Sequence, residues 1–190
     1  MNTLKTTVTI DQRAVEESII EEAKKDPACF KWLYEKYFKQ IFLFIHHKVE
    51  NRNEAADLTS QVFLKAMVRL HQYESRGLPF SSWLYRIAVN ECVDFFRKNK
   101  RSKVIYVEEA SFRNLFDEMF PEDISEELEK KIHLVLNALS ESELQIIELR
   151  FFESMPFKMI AEVLETSENN VKAKTYRLLE KMRKIFLKLL

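Results

Sequence analysis

A single glycine, Gly77, and four prolines among 190 residues set the first limit on this chain. Strand-rich folds need many tight turns, and those turns draw on Gly, Pro, Asn and Asp at fixed places. A chain so poor in glycine and proline has little means of building them. Its long segments instead repeat apolar residues at steps of three and four, the helical period. An all-α protein of one or two small domains is expected from this length. Apolar residues make up 46% of the chain, enough to form cores, and charged residues 32%, enough to keep it in solution. No apolar run approaches a membrane span, and the first residues lack the pattern of a secretion signal. The expected location is the cytoplasm, with no membrane insertion. Cys29 and Cys92 are isolated and His46 and His47 point apart on a helix, so neither a disulfide framework nor a metal site is expected. A glycine-rich phosphate loop and a catalytic triad are also missing from the sequence. The expectation is a protein that is not an enzyme and carries no cofactor.

Residues 80–103, FSSWLYRIAVNECVDFFRKNKRSK, hold the most informative helix. Phe80, Leu84, Ile87, Ala88 and Phe95 fall on one side, a core face. Trp83, Arg86, Asn90 and Arg97 recur on a second face, expected to point away from that core. A flat aromatic, an amide and two guanidiniums are what stacking on an unpaired base, reading its edge and holding nearby phosphates require. A solvated face with a snorkelling Trp is the plainer alternative. The helix runs into a basic end, Arg97, Lys98, Lys100, Arg101 and Lys103. The loop before it, residues 73–79, YESRGLP, contains the one glycine, and its side chains can close over anything held there.

Upstream, residues 1–10 are Thr-rich and read as a loose terminus. Residues 11–25 read as a short helix with Val15, Ile19, Ile20 and Ala23 inward. Pro27 suits the first turn of a helix to about Lys48 that is apolar over most of its circumference. Such a helix is central in a bundle or covered by a partner. Asn51 and Glu54 open a helix to about His71 that buries Ala55, Leu58, Val62, Phe63, Ala66 and Leu70. On its other side Asp57, Gln61, Leu64 and Val68 combine two aliphatics with an acid and an amide, the make-up of a helix-docking patch. The alternative is that Leu64 and Val68 meet the preceding helix.

Net charge is zero, but the charges are segregated. Residues 97–103 carry five cations, residues 108–129 nine acids against Arg113, and residues 172–188 seven cations against Glu180. The acidic stretch from Val104 to about Pro121 lacks a period and reads as a linker. Its Phe112, Leu115, Phe116, Met119 and Phe120 suit a short helix that docks when a partner is present. A helix beginning near Asp123 buries Leu128, Ile132, Val135, Leu136 and Leu139. Ser140 and Glu143 make a capping box for a helix with Leu144, Ile147, Leu149 and Phe151 inward. A short helix from Pro156, a tight turn at Glu165 and Thr166, and a long basic helix capped by Ser167 form a helix-turn-helix pattern. Asn170, Lys172, Ala173, Tyr176 and Arg177 would then face a major groove, with Lys174 and Lys181 near phosphates. A plain helical hairpin with a basic rim is the alternative.

Three of these stretches together resemble the bacterial RNA polymerase sigma factors of the extracytoplasmic-function (ECF) type. DLTSQVFLKAM at 57–67 is similar to the family's polymerase-clamp helix, FSSWLYRIAVNECVDFFRKNKR at 80–101 to its minus-ten-reading helix, and LSESELQIIELRFFESMPFKMIAEVLETSENNVKAKTYRLLEKMRK at 139–184 to its minus-thirty-five domain. The resemblance implies a four-helix promoter domain at 11–103, a flexible linker at 104–122 and a four-helix helix-turn-helix domain at 123–190. It implies core RNA polymerase and promoter DNA as partners and an anti-sigma factor as a third. Asp57, Leu58, Ser60, Gln61, Leu64 and Val68 would bind the polymerase. Tyr73, Arg76, Phe80, Trp83, Arg86, Asn90, Arg97, Lys98 and Arg101 would bind the minus-ten strand. Asn169, Asn170, Lys172, Ala173, Lys174, Tyr176 and Arg177 would bind the minus-thirty-five duplex. The chain departs from the family at Ser60-Gln61, where Gln-Glu is usual, at Ser154 and Glu165, where Gly is frequent, and at Asn169-Asn170, where Gly-Thr is. A turn at Glu165 would need a positive φ, which costs about 1 kcal/mol or more without Gly. The rival readings are a stand-alone helix-turn-helix regulator and a helical nucleic-acid enzyme.

Overall fold

Helix caps and apolar stripes lay out two helical units in sequence, Met1–Val104 and Ile105–Leu190. The structure is a computed structural model that describes residues 3–49, 51–99, 115, 118–119 and 126–189, with side chains at all of these except 3–12 and 126–130. All regular structure among the described residues is helical.

In the first unit α1 spans Thr3–Lys25, α2 Phe30–His46, α3 Arg52–Arg69 and α4 Phe80–Asn99. Short 3-10 turns at Pro27–Cys29 and Leu70–Gln72 precede α2 and follow α3. Asp26 accepts a hydrogen bond from the Ala28 amide at 2.9 Å, and Pro27 opens the first of these turns. Beside it Cys29 is half-buried, its sulfur 4.0 Å from the Asp26 carboxylate. The helix α1 begins at Thr3, not near Asp11 as the Thr-rich terminus suggests. Its inward stripe also differs from the expected one. Glu16, Ile20 and Ala23 are buried, Ile19 is half-buried and Val15 is exposed. A carboxylate can occupy the inward position because the Tyr37 hydroxyl and the Lys36 ammonium both donate to Glu16.

The aromatic helix α2 is central in its bundle and packs against α1, α3 and α4. Leu33, Ile41 and Ile45 are completely enclosed. Tyr34, Phe38, Phe42 and His46 stand one turn apart, with ring centroids separated by 5.1, 6.0 and 5.5 Å. Phe63 of α3 meets Phe30, Tyr34 and Phe38 of this helix. Asn51 caps α3, accepting from the Asn53 amide at 2.8 Å and the Glu54 amide at 3.2 Å. All six residues expected inward on α3 are buried. An ion pair from Lys65 to the buried Glu91 joins α3 to α4. Cys92 of α4 lies in the core.

In the second unit α5 spans Glu126–Asn137, α6 Glu141–Ile147, α7 Phe157–Val163 and α8 Glu168–Leu189, with a π-helical turn, Glu148–Phe152, following α6. The Ser140–Glu143 capping box is complete. Ile132, Val135 and Leu136 of α5 and Leu178, Met182 and Phe186 of α8 build the core with Leu144, Ile147 and Phe151. Leu115 and Met119 also belong to this core and are fully buried. The Met119 carbonyl accepts from Arg183 Nε of α8 at 2.9 Å. Two apolar residues expected in a partner-seeking linker are thus packed in their own unit. Phe112, Phe116 and Phe120 of that expectation lie outside the described residues, as does the Leu128 side chain.

The two positions where this chain lacks glycine both have positive φ, 51° at Ser154 and 50° at Glu165. The Thr166 amide donates to the Ala161 carbonyl at 2.9 Å and the Glu165 amide to Glu162 at 3.4 Å, so the end of α7 is closed in the Schellman manner. At the earlier turn the Met155 amide reaches the Leu149 carbonyl at 2.9 Å, and Arg150 donates to the Met155 carbonyl at 3.0 Å. These bonds hold two turns that their own side chains disfavour.

Candidate functional site

The outer face of α3 is open. Asp57, Ser60, Gln61, Leu64 and Val68 are all exposed, Leu64 at 57% and Val68 at 62%. Neither aliphatic is covered by α2, which removes the alternative of a helix–helix contact inside the unit. Met67, which the sequence reading passed over, is exposed beside them; its three-residue step from Leu64 was the available signal. Leu58 is a correction. It is only 5% exposed and belongs to the core stripe of Ala55 and Val62, one helical step away from Asp57. It backs the exposed face from the core side and does not form part of it.

The loop 73–79 and α4 require a larger correction. Trp83 is 8% exposed. Its ring centroid lies 5.2 Å from Tyr73 and 5.5 Å from Phe80, and Tyr73 meets Phe80 edge-on at 5.0 Å. Tyr73, Phe80 and Trp83 are therefore one buried aromatic cluster beneath the loop, not rings presented to solvent. The physical reason is that α4 is enclosed on nearly all sides from Phe80 to Val89, so its second face also packs. Chain reversal through the loop brings Tyr73 back over both rings. Of the remaining expected residues, Arg86 is half-buried and Asn90, Arg97, Lys98 and Arg76 are exposed. Arg97 donates to Asp94 at 2.8 Å. Phe95, expected inward, is half-buried. Arg101 lies outside the described residues.

The loop is fixed at several points. Gly77 takes φ 68°, the Ser82 amide donates to the Pro79 carbonyl at 3.0 Å, and Ser75 Oγ donates to Glu17 of α1 at 2.9 Å. Beneath it the Tyr37 ring lies 6.0 Å from Phe80. Burial first, then the hydrogen bond and charge of Glu16, push the Tyr37 hydroxyl above the usual tyrosine range.

In the second unit α8 presents Asn169, Lys174, Tyr176 and Arg177 as exposed residues, with Lys172 and Ala173 half-buried. Asn170 is turned back, its amide nitrogen donating to Thr166 Oγ1 at 2.8 Å and its backbone N–H to Ser167 Oγ at 3.2 Å. Lys172 pairs with Glu168 at 2.7 Å. Two neighbours not anticipated join this surface. Phe157 of α7 lies 6.4 Å from the Tyr176 ring, and the Arg150 guanidinium sits 4.5 Å over Phe157. The π-helical turn places Arg150 there, and spacing counted along a regular helix does not foresee it. Lys181 is bonded to Glu143 at 2.7 Å. That bond and the Ser140 amide hold the Glu143 carboxyl below its ordinary range. Farther along α8, Arg177, Lys181, Lys184 and Lys188 line one shallow groove. Among the described residues no cluster of three metal-ligating side chains occurs, and no helix is long and apolar enough to cross a membrane.

Comparison with known proteins matches a part of each unit to a described family model. Residues 33–102 match the family model for sigma-70 region 2, and residues 129–182 the model for sigma-70 region 4. The RNA polymerase sigma factor SigV of Bacillus subtilis is 31% identical over 135 residues, which span 71% of this chain and 77% of that protein. The chain belongs to the sigma-70 family of RNA polymerase sigma factors. Two ECF sigma factors of the same organism are also similar. SigW is 29% identical over 87% of this chain and 93% of its own length, and SigX 26% identical over 82% of each. As an alternative sigma factor of the ECF type, the protein acts in transcription initiation, with RNA polymerase and promoter DNA as its partners. The fold is shared with CnrH, solved in complex with the cytosolic domain of CnrY, at a TM-score of 0.59 and 17% identity over 88% of this chain and 94% of that one. It is shared too with the sigma factor RpoE of Bartonella quintana, solved with the anti-sigma factor NepR, at 0.53 and 19% over 84% and 96%.

Proposed function

We propose that this sigma factor docks on core polymerase through the exposed face of α3, with Asp57, Ser60, Gln61, Leu64 and Val68 as the contacts and Met67 beside them. The observation that carries this is a sealed inner face behind two aliphatic side chains left more than half open. Such a face costs free energy in water and regains it on a partner helix. The proposed promoter unit is 11–103, the linker 104–122 and the helix-turn-helix unit 123–190. Arg76, Arg86, Asn90, Arg97 and Lys98, with Arg101 by resemblance, contact the opened minus-ten strand. Tyr73, Phe80 and Trp83 form the rigid floor under the loop that receives an extruded base. Asn169, Lys172, Ala173, Lys174, Tyr176 and Arg177 meet the minus-thirty-five duplex, and Asn170 orders the turn before them.

Opening a base costs a few kcal/mol and stacking returns about 1–3 kcal/mol per base, so the polymerase must supply the rest. The protein catalyses no chemistry of its own and works in the cytoplasm. Its fold is that of a chain solved with an anti-sigma factor, which supports an anti-sigma factor as a further partner. Run-off transcription with core polymerase and the Asp57→Arg, Leu64→Arg double variant is the test. Transcripts should be lost while the variant stays folded. Undiminished transcription, or tight binding of promoter duplex by the protein alone at physiological salt, overturns the proposal.

A further inference from the structure

The helix α1 lies before the residues that match region 2, which begin at 33, so the family match gives it no role. Yet two adjacent carboxylates on α1 reach the apparatus around the loop 73–79. Glu16 is 6% exposed. It accepts from Lys36 Nζ at 3.0 Å and from the Tyr37 hydroxyl. The exposed Lys36 places its Nζ over the Trp32 and Tyr37 rings, 4.7 and 5.1 Å from their centroids. Tyr37 in turn packs on Phe80, which packs on Tyr73 and Trp83. Glu17, one residue on, accepts from Ser75 within the loop itself at 2.9 Å. The 3-10 turn that leads into the loop, Leu70–Gln72, also packs on α1.

We propose that α1 is a positioning element for promoter opening, with Glu16 fixing the aromatic floor through Tyr37 and Glu17 fixing the loop through Ser75. This rests on the assignment of the 73–79 loop to base capture made above. A buried carboxylate is retained only when its partners satisfy it, and here those partners are the side chains that carry the loop's floor. A loop held in its receiving shape before DNA arrives has less entropy to lose on binding. The helix therefore acts on the opening step, not on polymerase binding or upstream duplex binding.

The test uses the full chain assembled with core polymerase on a promoter selected from a random-sequence library by wild-type holoenzyme. Each variant is run on that promoter as duplex and as a template whose minus-ten region is pre-opened by mismatch. Glu17→Ala and Ser75→Ala should each slow permanganate-detected opening of the duplex about three- to tenfold, the worth of one charge-assisted hydrogen bond discounted for exposure. The double variant should be no slower than either single one, because both remove the same bond. Glu16→Gln keeps the size of the buried side chain but removes the charge opposite Lys36, and it should slow the same step. All three should bind core polymerase like wild type and match it on the pre-opened template. Ser75→Thr, which retains the hydroxyl, should restore opening. Unchanged opening of the duplex in all three variants overturns the proposal, and so does an equal loss on both templates. If Arg76→Ala and Arg86→Ala both open the duplex promoter at the wild-type rate, the base-capture reading falls and takes this one with it.

Discussion

Two leucines of α3, six residues apart, should answer to different measurements. Leu58 is 5% exposed in the core and Leu64 is 57% exposed on the proposed docking face. Truncating Leu58 to Ala removes buried methyl groups and leaves a cavity, which costs about 2–5 kcal/mol of folding stability. Truncating Leu64 removes contacts that the free protein barely makes, so its stability should change by less than about 0.5 kcal/mol. The effect of Leu64 belongs to binding. Full burial of a leucine side chain is worth about 1.5–3 kcal/mol, and the 57% still open to solvent leaves about 0.9–1.7 kcal/mol to be gained on polymerase, or about four- to seventeenfold in affinity. Urea denaturation of both variants and titration of fluorescently labelled protein with core polymerase supply the two axes. Leu64→Ala should keep the wild-type midpoint and weaken binding, and Leu58→Ala should lower the midpoint by about 1 M or more for a slope of 1–3 kcal/mol per M. A Leu64→Ala protein that binds polymerase as tightly as wild type, or that melts as early as Leu58→Ala, refutes the reasoning.

Glu165→Gly removes a left-handed side-chain cost of about 1–2 kcal/mol and gives back part of it as unfolded-state entropy, so the net gain should be about 0.5–1 kcal/mol, read as a later thermal transition. Trp83→Ala should lower stability by about 3–5 kcal/mol, a loss visible by circular dichroism without any DNA; an unchanged melt would return the ring to the surface. Because Glu143 is depressed in the folded state by Lys181 and Ser140, its contribution is complete above the ordinary glutamate value of 4.5 and disappears as the pH falls through the lower folded-state value. Lys181→Gln should flatten that acid limb in pH-dependent unfolding. Tyr37 has the opposite sign. Its raised folded-state value means that stability held below the ordinary value of 10.0 is lost as the pH rises above it, and Tyr37→Phe should remove this alkaline loss.

The features legible in the sequence were those written locally. Caps at Asn51, Ser140 and Ser167 are short-range hydrogen bonds between nearby residues, and each is present. The core stripe of α3 follows the helical period without exception. The exposure of Leu64 and Val68 was equally readable, because a helix with one sealed side leaves one choice for the other. The face of Trp83 was not. On α4 both sides are enclosed over its first half, so periodicity identifies two stripes but not which meets water. What covers Trp83 is Tyr73, ten residues away and brought back by a loop whose path depends on Gly77 and α1. The stripe of α1 was misplaced for a related reason: Val15 is the more apolar residue, yet Glu16 goes inward because a hydroxyl and an ammonium on α2 await it. Leu115 and Met119 lie in too short a segment to display a period, and only the pocket they enter explains them.

The two sulfhydryls differ in a way that experiments can use. Cys92 lies inside the bundle at 3% exposure, while Cys29 sits half open at the joint between α1 and α2. Thiol-directed dyes attach where solvent reaches the sulfur. A maleimide fluorophore should therefore mark the native chain at a single position, without mutagenesis, and its emission would follow the α1–α2 joint in real time while the holoenzyme assembles and melts its template.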